Sequence, residues 1–184
     1  MPDAELEQLA SRIRSRVRDI PDFPQPGIVF KDLTPLLSDS ELFAAVVRRL
    51  ADDFVGRGID LVVGIEARGF IFGAPVALHL GTGFAPVRKP GKLPFRTQRV
   101  EYALEYGSDA LEAHVDAVRP GQRILLVDDV LATGGTALAA ARLIKELGGE
   151  LAGMAFVLEL GFLRGRERLG NLPVHTLVRY GANG

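Results

Sequence analysis

The sequence predicts an α/β fold, with a central, mostly parallel sheet of about five strands and helices on both faces. Short apolar runs, typical of strands buried in a parallel sheet, alternate along the chain with longer segments that have helical periodicity. The 184 residues are 47% hydrophobic and 24% charged, which suits one domain with a sizeable core. We therefore expect a single domain over residues 1–184.

The amino-terminal part of the chain predicts two helices separated by an irregular segment. Three prolines between residues 21 and 26 favour an extended connection. Ser38 and Glu41 have the spacing of a capping box, which predicts a helix from there to about Phe54. The first helix, of roughly four turns, is predicted by apolar residues at helical spacing: Leu6, Leu9, Ile13 and Val17.

The remainder of the chain alternates between strands and helices. Helices are predicted at residues 70–80 and 137–147. A weaker strand is predicted at residues 111–115, where apolar and polar residues alternate. Buried strands complete the pattern at residues 61–65, 84–88, 124–127, 151–158 and 174–178.

Residues 89–107 show no clear period and contain both proline and glycine, so we expect a long loop there. A structureless segment of this length inside a compact domain is usually functional or disordered. Loops of this kind commonly close over a substrate and exclude water. The alternative is a solvated insertion without a function.

Composition excludes several classes of function. The 22 Lys and Arg residues balance 23 Asp and Glu residues, so charge gives no support for a nucleic-acid or membrane-surface partner. The absence of cysteine excludes disulfides, thiol catalysis and cysteine–zinc sites. The first residues lack the basic and apolar regions of a signal peptide, and charged residues interrupt the longest apolar stretch. We expect a cytoplasmic protein.

Residues 124–136 are the most informative segment of the chain. An apolar strand is followed by Asp128 and Asp129, and then by a loop of small residues that leads into a helix. Glycine lets the backbone approach an anion, and the first N–H groups and the dipole of a helix favour negative charge. The acids repel phosphate and suit sugar hydroxyls or a divalent cation. The expected ligand is a phosphorylated sugar with a metal nearby; the alternative is an Asp-Asp turn before an ordinary glycine-containing loop.

A second strand-to-helix connection, residues 64–70, has the same character. Its sequence Gly-Ile-Glu-Ala-Arg-Gly-Phe ends one strand and opens the next helix. Backbone N–H groups at this position point at an anion, and Arg68 lies beside them. The segment therefore predicts a second anion-binding loop.

These two segments resemble the signatures of the type I phosphoribosyltransferases. The resemblance implies that Asp128 and Asp129 bind the ribose hydroxyls of phosphoribosyl pyrophosphate. It also implies a non-proline cis peptide between Glu66 and Ala67. Pyrophosphate would be bound by Glu66, Ala67, Arg68, Arg88 and Lys92, and the 5′-phosphate by Ala132, Thr133, Gly134, Gly135 and Thr136.

Further segments resemble the members of this family that act on adenine. Residues 22–32 resemble their purine-binding hood, which would cover about residues 20–36. The resemblance implies that Phe30 stacks on the base, that backbone atoms near Val29 and Lys31 contact the base edge, and that Leu160 forms a wall against it. Ala132 stands where members acting on 6-oxopurines carry a catalytic acid.

Residues 104–107 match the tip of the flexible loop of these enzymes. Glu105 would handle the proton of the base, and Tyr106 would help to close the site. Together with Glu105, the resemblance makes Arg68, Asp128 and Asp129 the catalytic residues.

The implied reaction is that of purine salvage, in which adenine and phosphoribosyl pyrophosphate give AMP and pyrophosphate. The implied cofactor is Mg²⁺, held mainly through substrate and water and with no direct protein ligand. The resemblance also implies a homodimer, with its interface near the helix after the pyrophosphate loop and the segment around Arg88.

Two alternatives remain open from the sequence. One is a non-catalytic regulator that senses phosphoribosyl pyrophosphate, although about 20 residues before the hood segment are too few for a helix-turn-helix domain. The other is a phosphoribosyltransferase for another base, such as xanthine or orotate.

Overall fold

The computed structural model describes residues 3–103 and 108–181. Two compact units are present, the first reaching to Arg49 and the second beginning at Leu50. Within the described ranges, no helix is long and apolar enough to cross a membrane.

The first unit contains short helices and a small antiparallel sheet. The predicted first helix is confirmed as α1 (Asp3–Arg16), with Leu9 and Ile13 buried. The predicted hood segment forms strands β1 (Arg18–Pro21) and β2 (Val29–Asp32), which pair antiparallel. Helix α2 (Thr34–Leu37) follows, and α3 (Ser40–Asp52) begins in this unit and ends in the second.

The predicted capping box at Ser38 is wrong. The carboxylate of Asp39 accepts the hydrogen bond from the backbone N–H of Leu42, at 3.0 Å, and so caps α3. Ser38 instead donates its hydroxyl to the carbonyl of Thr34, at 3.2 Å, and belongs to the end of α2. The short helix α2 was not predicted, and its presence moves the start of α3 forward along the chain.

The second unit contains the predicted parallel sheet. In chain order its elements are β3 (Leu61–Ile65), α4 (Arg68–Leu80), β4 (Gly83–Val87), β5 (Thr97–Ala103), β6 (Ser108–His114), β7 (Arg123–Leu131), α5 (Gly135–Glu146), β8 (Glu150–Leu160), α6 (Gly165–Leu169) and β9 (Val174–Tyr180). The order across the sheet is β4-β3-β7-β8-β9, and every neighbouring pair is parallel. The predicted five strands are therefore confirmed.

Helices cover both faces of this sheet, as predicted. Val63 and Leu126 point to the face where the buried small and apolar side chains of α5 complete the core. Gly64 points to the opposite face, where α4 packs. A Cβ atom at Gly64 would lie 2.7 Å from the ring of Phe84, a residue of the neighbouring strand β4. Glycine at this position therefore leaves room for that ring and for the backbone of α4 on this face of the sheet.

The prediction of a structureless loop over residues 89–107 is wrong for Thr97–Ala103. These residues form β5, which pairs antiparallel with β6 from Thr97 opposite His114 to Ala103 opposite Ser108. Val100 and Tyr102 are buried in the core shared with α5, whereas Glu101 between them is exposed. The alternation typical of a strand is present, but only two buried side chains in the segment carry it.

Candidate active site

The parallel sheet brings the predicted site residues to one edge. Glu66 follows β3, Arg88 follows β4, and the two acids lie near the end of β7. Because β4, β3 and β7 are adjacent and parallel, their carboxyl ends lie side by side, which is where open α/β sheets bind ligands. The predicted anion-binding loops are thus neighbours in space.

The acid pair lies within β7 and not beyond its end. The strand continues to Leu131, paired with β8, whereas its pairing with β3 stops at Val127. Asp128 and Asp129 therefore occupy the part of β7 whose β3 side is no longer paired with a strand. Asp128 is the more accessible of the two, since it is partly exposed whereas Asp129 is buried.

The two acids have different partners. Asp129 is only 3% exposed, and its carboxylate accepts a hydrogen bond from Nε of Arg68, the first residue of α4. Asp128 is partly exposed and accepts the backbone N–H of Asp129 at 2.9 Å. Protein packed around Asp128 removes water from it, and the neighbouring charge of Asp129 adds to this effect, so the pKa of Asp128 is raised well above its ordinary value.

Gly69 places the pyrophosphate loop against this acid pair. A Cβ atom at this position would lie 2.8 Å from the carbonyl oxygen of Val127 and 2.9 Å from Oδ1 of Asp128. Any larger residue would push α4 away from β7 and Arg68 away from Asp129. Sequence reasoning included Gly69 in the loop but did not predict this contact.

The phosphate loop has a support that sequence reasoning missed. Gly134 has a φ of 78°, and α5 begins at the next residue, so the backbone turns directly from β7 into the helix. A Cβ atom at Gly165, the first residue of α6, would lie 2.0 Å from the carbonyl oxygen of Ala132. The backbone of α6 thus packs against the loop, and glycine is required there.

An ion pair with a buried carboxylate holds α6 in this position. The carboxylate of Glu159, at the end of β8, accepts hydrogen bonds from Arg166 at 2.6 Å and from the hydroxyl of Thr176 at 3.1 Å. Burial by itself would raise the pKa of Glu159, but these contacts outweigh burial and lower it. Sequence reasoning placed Glu159 beside the base wall and gave it no role.

The pyrophosphate loop has the predicted cis peptide between Glu66 and Ala67. The structure brings three of the predicted pyrophosphate residues into contact: Nε of Arg88 donates to Glu66 at 3.2 Å, and Nζ of Lys92 also donates to Glu66. The backbone N–H of Lys89 donates to the same carboxylate at 3.0 Å. Burial would raise the pKa of Glu66, but these hydrogen bonds lower it to about 2.

A polar network outside the predicted set joins the β5–β6 hairpin to the phosphate loop. Nζ of Lys89 donates to the hydroxyl of Tyr102 at 3.0 Å and to the carboxylate of Asp109. The Tyr102 hydroxyl also donates to Asp109 at 3.1 Å and lies 3.4 Å from the hydroxyl of Thr136. The network was missed because residues 97–103 were predicted to be a loop. The sequence signal for this strand was the alternation of Val100 and Tyr102 with the charged residues Arg99 and Glu101.

The predicted base-binding residues lie in both units. On β2, Phe30 packs edge-to-face on Phe23 with ring centroids 5.2 Å apart, and Val29 is exposed. The side chain of Lys31 is buried and bonded to Asp19 at 2.9 Å. Leu160 ends β8 in the second unit and is partly buried. Glu105 and Tyr106 lie outside the described residues.

Comparison with known proteins assigns this arrangement to a family. A model of the phosphoribosyl transferase domain matches residues 37–169, which is more than half of the chain. The chain belongs to the phosphoribosyltransferase family.

Similarity to individual relatives extends over almost the whole length. The adenine phosphoribosyltransferase of Acidobacterium capsulatum is 60% identical over 168 residues, covering 91% of this chain and 93% of that protein. The crystal structure of the adenine phosphoribosyltransferase from Rhodothermus marinus matches with a TM-score of 0.91 and 49% identity, covering 95% of this chain and 99% of that one. The Saccharomyces cerevisiae enzyme, complexed with adenine and an imino-altritol bisphosphate, matches with a TM-score of 0.87 and 42% identity, covering 93% and 99%. The family predicted from the sequence motifs is confirmed.

Proposed function

We propose that residues at the carboxyl ends of β3, β4 and β7 each bind a separate part of the substrate in this chain's reaction. That reaction transfers the 5-phosphoribosyl group from phosphoribosyl pyrophosphate to adenine, giving AMP and pyrophosphate, as in purine salvage. One observation supports this assignment: the strands follow one another in the order β4-β3-β7, and Arg68 of the pyrophosphate loop donates a hydrogen bond to Asp129, which precedes the phosphate loop on β7.

The ribose 5-phosphate part belongs to β7 and the start of α5. Ionised carboxylates only accept hydrogen bonds, so Asp128 and Asp129 suit the ribose hydroxyls. The backbone N–H groups of residues 132–136 and the dipole of α5 suit the 5′-phosphate. Arg68 holds the buried Asp129 carboxylate in place for this task.

The pyrophosphate part belongs to the other two strand ends. When the bond between the anomeric carbon and pyrophosphate breaks, negative charge develops on the leaving group. Arg68, Arg88 and Lys92 neutralise it, and the Asp pair stabilises the positive charge that develops on the ribose. Backbone groups of Glu66 and Ala67 complete the pyrophosphate loop.

The base is adenine, whose N9 atom bonds to the anomeric carbon as the bond to pyrophosphate breaks, and whose imidazole ring gives up one proton. Phe30 stacks on the ring, backbone atoms near Val29 and Lys31 contact its edge, and Leu160 packs against it. Glu105 handles a proton at N7 of the imidazole edge, and Tyr106 helps to shield the site from water.

Mg²⁺ is the proposed cofactor. Among residues 3–103 and 108–181, no group of three or more His, Asp or Glu side chains could hold a metal. Mg²⁺ often binds through substrate phosphates and water with few protein carboxylates, which suits a substrate that carries a pyrophosphate group. When bound, it supplies further neutralisation of pyrophosphate charge.

We further propose a cytoplasmic homodimer. Helix α4 follows the pyrophosphate loop and carries an apolar face, on which Ile71 is 40% and Leu78 is 82% exposed. Exposed apolar side chains one or two turns apart favour contact with another protein surface. A charged substitution of Leu78 would shift the mass measured by sedimentation if this face is the dimer interface.

A panel of bases tests the whole assignment. Pyrophosphate release is measured with phosphoribosyl pyrophosphate and Mg²⁺, offering adenine, hypoxanthine, guanine, xanthine and orotate in parallel. Turnover with adenine alone is expected. Turnover with another base would overturn the roles of Ala132, Phe30 and Leu160. Tight binding of phosphoribosyl pyrophosphate without turnover would favour a regulator instead.

A further inference from the structure

The cations proposed to bind pyrophosphate are gathered around a carboxylate of the protein itself. The Glu66 side chain is only 10% exposed, whereas those of Arg88 and Lys92 are 33% and 47% exposed. The acid therefore lies at the bottom of the cluster, and the two cations lie between it and solvent.

Among the described residues, the hydrogen bonds of this carboxylate are all made with residues 88–92, the segment that follows β4. Arg88 donates to both of its oxygens, from Nε at 3.2 Å and from Nη2 at 3.4 Å, and Lys92 donates to Oε1. The backbone N–H of Lys89 completes the set. Nη1 of Arg88 also donates to the carbonyl of Lys92, at 3.1 Å, which holds the two cations next to each other.

The oxygen atoms of Glu66 accept hydrogen bonds from two cations and a backbone N–H. A bound phosphate group would accept the same kind of hydrogen bonds from these residues. Such charge-assisted hydrogen bonds are stronger than neutral ones. An anionic ligand that binds Arg88 and Lys92 must compete with Glu66 for their N–H groups.

We infer that the Glu66 carboxylate binds the N–H groups of Arg88 and Lys92 whenever pyrophosphate does not, keeping both cations in position and competing with pyrophosphate for them. Glu66 is thus a positioning residue that limits the affinity for pyrophosphate. As pyrophosphate leaves, Glu66 forms its hydrogen bonds with the two cations again, which favours product release. The inference rests on the proposed role of Arg88 and Lys92 in binding pyrophosphate.

The sign of one substitution tests this competition. Glu66→Gln keeps the size of the side chain and removes its charge. We expect the inhibition constant of inorganic pyrophosphate, measured with Mg²⁺ against phosphoribosyl pyrophosphate, to fall roughly 10-fold, the equivalent of about 1.4 kcal/mol. An unchanged or higher constant overturns the inference, since a merely structural acid would not improve binding when it is lost.

Glu112→Gln is the matched control. This carboxylate is also buried, and it accepts a hydrogen bond from the N–H of Gly91 at 3.2 Å within the same segment. Within the described residues, its carboxylate makes no hydrogen bond with the side chains of Arg88 or Lys92, so its loss should leave the inhibition constant near that of the wild type. An equal fall in both variants would mean that any negative charge here weakens binding, which contradicts a specific competition.

A third variant tests separately whether Lys92 binds pyrophosphate and whether Glu66 competes for it. Lys92→Gln should raise the inhibition constant; if it does not, the proposed role of Lys92 itself fails. If Lys92→Gln weakens binding while Glu66→Gln has no effect, only the competition is wrong. Should Glu66→Gln fail to fold, Glu66→Asp shortens the reach to Lys92, and a smaller fall is expected, whereas no fall counts against the inference.

Discussion

Glu66 and Asp128 are acids at neighbouring strand ends of one site, yet their pKa values are shifted in opposite directions. Burial by itself would raise both. Hydrogen bonds from Lys92, from the N–H of Lys89 and from Arg88 reverse this effect at Glu66 and lower its pKa to about 2. At Asp128, burial and the adjacent charge of Asp129 act together and raise the pKa. The donors around each acid decide the direction.

The difference indicates two kinds of task. Glu66 is ionised at every pH at which the protein is expected to work, and it serves as a fixed counterion. At Asp128, the hydrogen bond donated by the backbone N–H of Asp129 does not offset burial and the neighbouring charge, so the ionised form is short of stabilising donors. A ligand that brings hydroxyl donors and a developing positive charge supplies what Asp128 lacks, so binding and ionisation are coupled there.

A third carboxylate, Glu105, has a different proposed role, and its substitution should have the largest effect on activity. Its proposed task is proton transfer, which neither Glu66 nor Asp128 performs. We expect Glu105→Gln to lower kcat by about 10²–10⁴-fold with a modest change in KM, measured by steady-state kinetics with adenine. Glu101→Gln, at an exposed acid paired with Arg99, is the control and should keep kcat near that of the wild type. A near-wild-type kcat for Glu105→Gln would remove it from the mechanism.

Asp128→Asn should separate activity from stability. Loss of a charge-assisted hydrogen bond to the ribose should lower kcat/KM for phosphoribosyl pyrophosphate by about 10- to 100-fold. The melting temperature at neutral pH should rise, because an acid whose pKa is raised in the folded state destabilises that state when ionised.

Asp129→Asn is the contrasting control for this prediction. It removes the charge of the buried carboxylate that is paired with the partly exposed Arg68, so the melting temperature should fall. If Asp128→Asn also lowers the melting temperature and leaves kcat/KM intact, the acid pair is structural.

The pH dependence of stability should have opposite signs for the two acids. Glu66 stabilises the fold above its ordinary pKa of 4.5, and this contribution is lost as pH falls towards about 2. Asp128 has no such contribution to lose in acid. Its destabilising effect grows as pH rises from the ordinary Asp value of 3.8 through its raised value.

Urea denaturation from about pH 3 to about pH 8 measures the free energy of unfolding of the wild type and of each variant. The two effects are the wild-type value minus that of Glu66→Gln, and the wild-type value minus that of Asp128→Asn. The first difference should increase with pH and the second should decrease. Slopes of the same sign would mean that the two environments are not opposed.

The smallest effect on activity is expected for the hydrogen-bond network that connects Glu66 with the phosphate loop after Asp129. Lys89 contacts Glu66 through its N–H and Tyr102 through its side chain, and Tyr102 reaches Thr136 of the phosphate loop. Tyr102→Phe should cost about 1 kcal/mol in the free energy of unfolding and raise KM for phosphoribosyl pyrophosphate a few-fold. Lower stability with an unchanged KM would restrict the network to holding the β5–β6 hairpin.

The structure predicted from the sequence agrees with the observed one where contiguous residues form a strand, a loop and a helix. Asp128, Asp129 and the loop that follows are ordered by one strand and one helix, so their relative positions depend mainly on local backbone geometry. The same holds for the Glu66–Ala67 cis peptide in the pyrophosphate loop. Prediction failed at Ser38 and at Thr97–Ala103, where a neighbouring helix and a distant pairing partner determine the structure.

By itself, the sequence determined the α/β class and the family, because hydrophobic periodicity and contiguous motifs are local properties. Only the tertiary structure decided that β4, β3 and β7 are neighbours, and so that Glu66 meets Arg88 and Lys92. The support of Ala132 by Gly165 and the opposite pKa shifts of Glu66 and Asp128 were decided in the same way. These depend on distances between residues far apart in the chain and on the water that packing removes, neither of which a sequence pattern specifies.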